Sequence, residues 1–134
     1  MTNSCFFDFN DYPDIAPAVI TTCAVLGLHG RFEGLKSLKI KESDRLTALE
    51  NEFMKLGIRV MISNDETPTL ELKEGCFSQN MDLVFETYGD HRMAMTFAML
   101  AMINGKVRII NPDVVTKSYP DFWEHLRQTG FDIK

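Results

Sequence analysis

The chain has no excess of basic residues: 14 Lys and Arg face 19 Asp and Glu, giving a net charge of -5 over 134 residues. A nucleic-acid surface gains affinity from Lys and Arg that displace counterions, so this balance argues against a general nucleic-acid interface. Any positive site must be local. Long hydrophobic runs are also missing. The longest, Met93 to Ile103 interrupted by Thr96, is too short to cross a bilayer, and MTNSCFFDF has neither the basic nor the apolar region of a signal peptide. These features lead us to expect a cytoplasmic protein with no membrane partner. Cysteine is scarce and odd in number: Cys5, Cys23 and Cys76 form no CxxC pair, which argues against a disulfide framework or a zinc site. No HxH, HExxH or clustered carboxylates suggest a metal, and no P-loop or GxGxxG suggests a nucleotide. His29, ending an expected helix, and His125, beside Trp123, read as structural.

What is present is an ordinary globular composition, 45% apolar and 25% charged, in a length that supports one core. SCFFDF (4–9) reads as a strand, PDIAPAVITTCAVLGL (13–28) as a helix and GRFEGL (30–35) as a second strand leading to LKIK. A helix follows in which Leu46, Leu49, Phe53 and Leu56 form one buried stripe and Gly57 is placed to end it. IRVMI and TLELK read as strands joined by the turn SNDETP. Beyond Gly75 the pattern restarts, with MDLVFET as strand, HRMAMTFAMLAMING as helix, KVRII as strand, YPDFWEHLRQTG as helix and FDIK as strand. The expected fold is therefore α/β (α+β), with one complete βαβαββ unit over residues 1–75 and a second, lacking its last strand, over 76–134. The helices at 14–28 and 92–103 are apolar on nearly every side and should be buried. Four of the eight methionines sit in the second helix, where they read as core filler.

Charge concentrates at the helix starts. In KESDRL, Ser43 is the expected N-cap, with Asp44 and Arg45 as the first helical residues; in YGDHRM, Asp90 caps, followed by His91 and Arg92. An arginine there meets the partial positive charge of the helix N-terminus, at a cost of about 0.3–1 kcal/mol. A bound anion reverses that sign, because free N–H groups, the helix dipole and a guanidinium fork all attract carboxylate or phosphate. The plainer alternative pairs Arg45 with Glu42 or Asp44, and Arg92 with Asp90, as solvated surface charge. Asp14 in YPDIAP is an expected cap, with Pro17 tolerated in the first turn, and Lys117 precedes an expected cap at Ser118.

Helices that follow strands in repeated units can point their N-termini toward one face, gathering Asp14, Lys41, Glu42, Arg45, Asp90, His91, Arg92 and Lys117. Such a surface suits a multiply anionic substrate on which protons must also move. Asp14, at a helix start, fits an ionised base, and Glu42, crowded by other acids, fits a protonated acid. A simple cap and a simple salt-bridge partner are the corresponding structural readings.

YPDIAPAVITTCAVLGLHG, LKIKESDRLTALENEFMKLGIRV, YGDHRMAMTFAMLA and TKSYPDFWEHL resemble the C-terminal motifs of the 5-enolpyruvylshikimate-3-phosphate synthase family, in order and spacing throughout residues 5–130. KESDRL and DHRMAM are the most specific of these. The related UDP-N-acetylglucosamine enolpyruvyl transferases share the fold and are the alternative family, ranked lower because KESDRL and DHRMAM are not expected of them at these places. The resemblance implies transfer of the enolpyruvyl group of phosphoenolpyruvate to the 5-hydroxyl of shikimate 3-phosphate, through a tetrahedral intermediate and with release of phosphate. It implies no metal or organic cofactor. By the family pattern Asp14 handles the hydroxyl proton with Lys41 close by, and Glu42 exchanges the methylene proton. Arg45, Arg92 and Lys117 bind phosphoenolpyruvate, and His91 lines the site. Asp14 and Lys41 also contact shikimate 3-phosphate, and glyphosate competes with phosphoenolpyruvate. The family enzyme has two domains of repeated units, so this chain corresponds to its final third, expected to need the remainder for activity. A non-catalytic anion- or RNA-binding module on the same α/β repeat is the alternative from another functional class.

Overall fold

The computed structural model describes residues 4–63, 66–75 and 77–134. Residues 1–3, part of the expected turn SNDETP (Asn64, Asp65) and Cys76, at the boundary expected between the two halves, lie outside the described residues.

The first half follows the alternation read from the sequence. Strand β1 (Ser4–Asp8) runs through a 3-10 turn (Pro13–Ile15) into helix α1 (Ala16–Val25), which crosses over to strand β2 (His29–Glu33). A second 3-10 turn (Lys36–Ile40) precedes helix α2 (Arg45–Lys55), followed by strands β3 (Ile58–Ile62) and β4 (Leu70–Gly75). The sheet order is β1-β2-β4-β3. β1 and β2 are parallel, from Ser4 opposite His29 to Asp8 opposite Glu33, which is why a helical crossover must join them. β4 is antiparallel to both of its neighbours.

Alternation along the strands gives the sheet two unlike faces. Phe32, Leu70 and Leu72 point into a continuous core with Ile20, Leu46, Leu49 and Phe53 from the helices. Arg31 and Glu71 face the other way and pair at 3.0 Å, alongside Phe6 and Met61, each 60% exposed.

Gly57, at φ +72°, ends α2 as its position suggested. Gly34 is more constrained. Its φ is +71°, and a Cβ there would lie 2.3 Å from the Asn10 backbone nitrogen. Gly34→Ala is expected to cost about 2–3 kcal/mol or more, through left-handed strain and overpacking together. A urea midpoint unchanged from the parent would contradict this.

The second half departs from expectation in several places. Its strands are short: β5 (Val84–Phe85) pairs in parallel with β6 (Arg108–Ile109). The expected long helix is two, α3 (His91–Ala98) and α4 (Ala101–Asn104). Between them the bonding tightens to three-residue steps, Leu100 N–H to Phe97 O and Ile103 N–H to Leu100 O. The last helix, α5, spans only Phe122–Gln128 and has no buried residue, and the expected FDIK strand is not formed.

Several local expectations are also corrected. Full burial of the two apolar helices does not hold, since Leu26, at the C-cap of α1, is 63% exposed, and Met99 and Met102 are exposed while Met93 is core. His29 opens β2 and does not end a helix. Cys23 is buried as expected, its Sγ 3.7 Å from that of Cys5. His125 Nδ1 shares a 2.9 Å hydrogen bond with the Tyr119 hydroxyl. Among the described residues no helix is long and apolar enough to cross a membrane.

Candidate active site

Three segments distant in sequence converge at one end of α2 and α3. The Pro13–Ile15 turn packs against the Lys36–Ile40 turn, and α1 packs against both α2 and α3. This places Asp14, the Lys41–Arg45 stretch and the Asp90–Arg92 stretch side by side.

The cap of α2 is Asp44, whose carboxylate accepts from the Thr47 N–H at 3.1 Å. Ser43, the cap expected from sequence, instead donates its hydroxyl to Asp90 Oδ2 at 2.8 Å. Arg45 is thereby the first helical residue, one position earlier than expected, and its side chain turns inward. Arg92 does take the second position of α3, behind the expected cap Asp90. Asp14 lies inside the 3-10 turn and not at a cap, with Ile15 at the N-cap position of α1. The N-cap position of α5 is held by Asp121, not Ser118.

The floor of the site is a buried ion pair. The Asp90 side chain is 0% exposed and that of Arg45 is 2%. Arg45 Nε donates to Asp90 Oδ2 at 2.8 Å and Nη2 to Oδ1 at 3.2 Å, while the Arg92 backbone N–H donates to Oδ1 at 2.9 Å. The outer edge of the same guanidinium reaches Glu42 Oε2 at 2.8 Å and Asp14 Oδ1 at 3.2 Å. The expectation of solvated surface pairing therefore fails for Arg45, which is buried and bonds three carboxylates, with Asp44 not among them. Those bonds offset the unfavourable position of a cation at a helix start.

Above this floor is an accessible rim. Asp14 is half exposed, with Lys41 Nζ 3.5 Å from Oδ1 and Arg92 Nη2 4.0 Å from Oδ2. Both distances exceed an ordinary hydrogen bond, so Lys41 and Arg92 can turn donors toward an incoming anion. His91 Nδ1 stands 4.0 Å from Asp90 Oδ1. Lys117 is exposed beyond the 3-10 turn Pro112–Val115, which packs on α3; among the described residues it forms no ion pair with the cluster. Asp90 and Asp44 already occupy N–H groups at the two helix starts, so anion binding falls chiefly to the side-chain cations.

Burial works to raise the Asp14 carboxyl, but the charges of Lys41 and Arg92 and the hydrogen bond and charge of Arg45 outweigh it, holding the pKa below its ordinary value. Burial opposes ionisation of Asp90 as well; hydrogen bonds from Arg45 and Ser43, the Arg45 charge and the Arg92 N–H overcome it. Both groups are thus carboxylates at neutral pH. A carboxyl with a depressed folded pKa adds stability above its unfolded value, and that stability is lost as pH falls through the folded value. The urea midpoint should therefore decline below about pH 4, and the decline should be shallower in Asp90→Asn, measured against the parent at matched pH.

Ligand atoms of Glu42, Asp90 and His91 lie within 4.8 Å of one another. A cation there would have to displace the buried Arg45 guanidinium from Asp90, so the donor set fits an anion site better than a metal site. Sequence reasoning gave Asp90 as a cap, as a candidate partner of Arg92 and as a member of the gathered surface, and missed its hold on Arg45. It also missed Glu52, which is 1% exposed on α2. The available signal was its spacing, three residues after Leu49 and four before Leu56, which puts a charge on the buried stripe.

A family model described as EPSP synthase (3-phosphoshikimate 1-carboxyvinyltransferase) matches residues 4–126. The chain is 46% identical over 127 residues to a 3-phosphoshikimate 1-carboxyvinyltransferase of Bacteroides fragilis, covering 95% of this chain and 30% of the relative. It is 37% identical over 118 residues to the enzyme of the same name from Syntrophobacter fumaroxidans, covering 87% and 27%. The solved structure of EPSP synthase from Acinetobacter baumannii superposes with a TM-score of 0.62 at 26% identity, covering 88% of this chain and 27% of that one. The chain thus spans about 30% of the length of the curated relatives it matches.

Proposed function

Because this chain belongs to the EPSP synthase family, we propose that it supplies part of the active site of an enzyme transferring the enolpyruvyl group of phosphoenolpyruvate to the 5-hydroxyl of shikimate 3-phosphate. The observation that carries this reading is the exposed Asp14 carboxylate, held ionised beside Lys41, Arg45 and Arg92. A base beside three cations suits a reaction in which a hydroxyl loses its proton next to a phosphorylated carboxylic acid.

Asp14 takes the proton from the 5-hydroxyl, whose oxygen adds to C2 of phosphoenolpyruvate, and Lys41 orients that oxygen. Glu42 delivers a proton to the C3 methylene, giving the tetrahedral intermediate. Glu42, now a carboxylate, takes a C3 proton back, restoring the double bond as the C2–O bond to phosphate breaks. Arg45 and Arg92 bind phosphoenolpyruvate, which competes with Asp14 and Glu42 for the outer edge of the Arg45 guanidinium. Lys117 reaches the ligand from the segment beyond the turn packed on α3, and His91 lines the same space. Glyphosate competes with phosphoenolpyruvate at these cations. The chemistry is acid–base and electrostatic, calls on no cofactor, and takes place in the cytoplasm.

Residues 1–75 are read as one complete βαβαββ unit and 76–134 as a second which, with FDIK unformed, shows neither of its last two strands among the described residues, both within one domain of a two-domain enzyme. The β1-β2-β4-β3 order supports the first assignment, and the parallel β5–β6 pair with α3 between supports the second. The rest of the enzyme completes the substrate contacts, and the chain alone is inactive or nearly so. Phosphate release from phosphoenolpyruvate plus shikimate 3-phosphate tests this, with the chain alone and mixed with the complementary N-terminal part. Activity in the mixture that Arg92→Ala weakens through a higher KM for phosphoenolpyruvate is expected. A folded, associated but inactive mixture would point instead to a binding module.

A further inference from the structure

The turn that delivers Asp90, His91 and Arg92 has an unusual backbone. Tyr88 and Gly89 are consecutive residues at positive φ, +55° and +66°. The Asp90 N–H closes the turn on Thr87 O at 2.8 Å. Two central residues in the left-handed region make a type I′ turn, for which Asn-Gly or Asp-Gly is the common sequence. A bulky tyrosine there is an outlier that persists only when its surroundings fix it.

The surroundings that fix it are on α2. The Tyr88 hydroxyl donates to Glu52 Oε1 at 2.7 Å. Glu52 is almost wholly buried, and its other oxygen lies 2.7 Å from Lys55 Nζ. Lys55 in turn donates to Val84 O in β5 at 2.9 Å. On the opposite side of the turn the Thr87 hydroxyl donates to Ile110 O at 2.9 Å. Burial, followed by the hydrogen bond to Glu52, pushes the phenol up to about 12, so it remains a donor across the neutral range.

We infer that the Glu52–Tyr88 contact is a latch from α2 that holds the Thr87–Asp90 turn, making Tyr88 and Glu52 positioning residues for Arg92 in phosphoenolpyruvate binding. The latch works in concert with the Arg45–Asp90 pair, so that α2 grips the same turn at two points seven helical residues apart in sequence, Arg45 and Glu52. Its consequence for catalysis rests on the function proposed above, whereas its grip on the turn does not.

Tyr88→Phe keeps the ring and removes the donor, while Glu52→Gln keeps an acceptor for the hydroxyl. The first measurement is amide hydrogen exchange in the 134-residue chain. Tyr88→Phe should speed exchange at the Arg92 and Met93 amides about tenfold, leave the β2–β4 ladder amides unchanged, and be matched only weakly by Glu52→Gln. The second is kinetics in the complete enzyme. Tyr88→Phe should raise the KM for phosphoenolpyruvate about tenfold with little change in kcat, and should add nothing in an Arg92→Ala background. Unchanged exchange at Arg92 and Met93 overturns the latch. Exchange that rises equally in the ladder marks Tyr88 as a general stability residue and overturns it too. A KM effect of equal size in the Arg92→Ala background overturns positioning through Arg92. If Arg92→Ala alone leaves KM unmoved, the proposed function fails at that residue, and the exchange result still decides whether the turn is latched.

Discussion

Asp90→Ala is expected to destabilise the chain by about 3–5 kcal/mol, the cost of stripping one partner from a buried ion pair. The Asp90 carboxylate, fully enclosed, accepts from Arg45 Nε and Nη2, from the Ser43 hydroxyl and from the Arg92 N–H. Alanine leaves the Arg45 guanidinium buried against a void and also removes the N-cap of α3. Domains are typically stable by only about 5–15 kcal/mol, so this loss is a large share of the total. Asp44→Ala is the natural comparison, because Asp44 caps α2 through one exposed hydrogen bond and should cost only about 1 kcal/mol. Urea unfolding of the two variants measures the contrast. Equal midpoints for both would mean that the pair contributes no more than a cap.

Asp14→Ala is expected to lower kcat of the complete enzyme by about 10²–10⁴-fold, the usual contribution of a general base, with little loss of stability. The two effects separate because the Asp14 side chain is half exposed, unlike Asp90. Removing Asp14 also releases Lys41 and Arg92 from their nearest carboxylate, so the KM for phosphoenolpyruvate should stay the same or fall. A higher KM at unchanged kcat would assign Asp14 to binding and remove it from proton transfer. Since Lys41, Arg92 and Arg45 depress the Asp14 carboxyl in the ligand-free chain, the acidic limb of kcat/KM set by this group should lie below the ordinary carboxylate value of 3.8. Asp14→Asn should behave like Asp14→Ala in kcat, because an amide keeps the shape and cannot accept the proton.

Strongly periodic segments were legible from the sequence alone. The Leu46–Leu49–Phe53–Leu56 stripe, Gly57 as the stop of α2 and the IRVMI strand all hold, because each depends on spacing within a few residues. Failures concentrate where long-range contacts outweigh local preference. Ser43 satisfies the local rule for a cap, yet its hydroxyl has a better acceptor in Asp90, 47 residues away, and Asp44 takes the cap instead. The Met93–Ile103 run predicts one helix, but the structure tightens its bonds around Leu100 and exposes Met99 and Met102.

For the site, residue types and helix starts named Asp14, Lys41, Glu42, Arg45, Asp90, His91, Arg92 and Lys117 as one candidate surface, of which the first seven lie together and Lys117 forms no ion pair with them among the described residues. That inference needs only chain order and the chemistry of each side chain. Which of them forms the floor and which the rim required tertiary structure. Burial of Arg45 depends on Asp90 arriving beside it from another helix, and the long Asp14 contacts that leave Lys41 and Arg92 available depend on how α1, α2 and α3 pack. Local sequence sets what a residue can do; packing between distant segments sets its solvent, its partners and therefore its charge state.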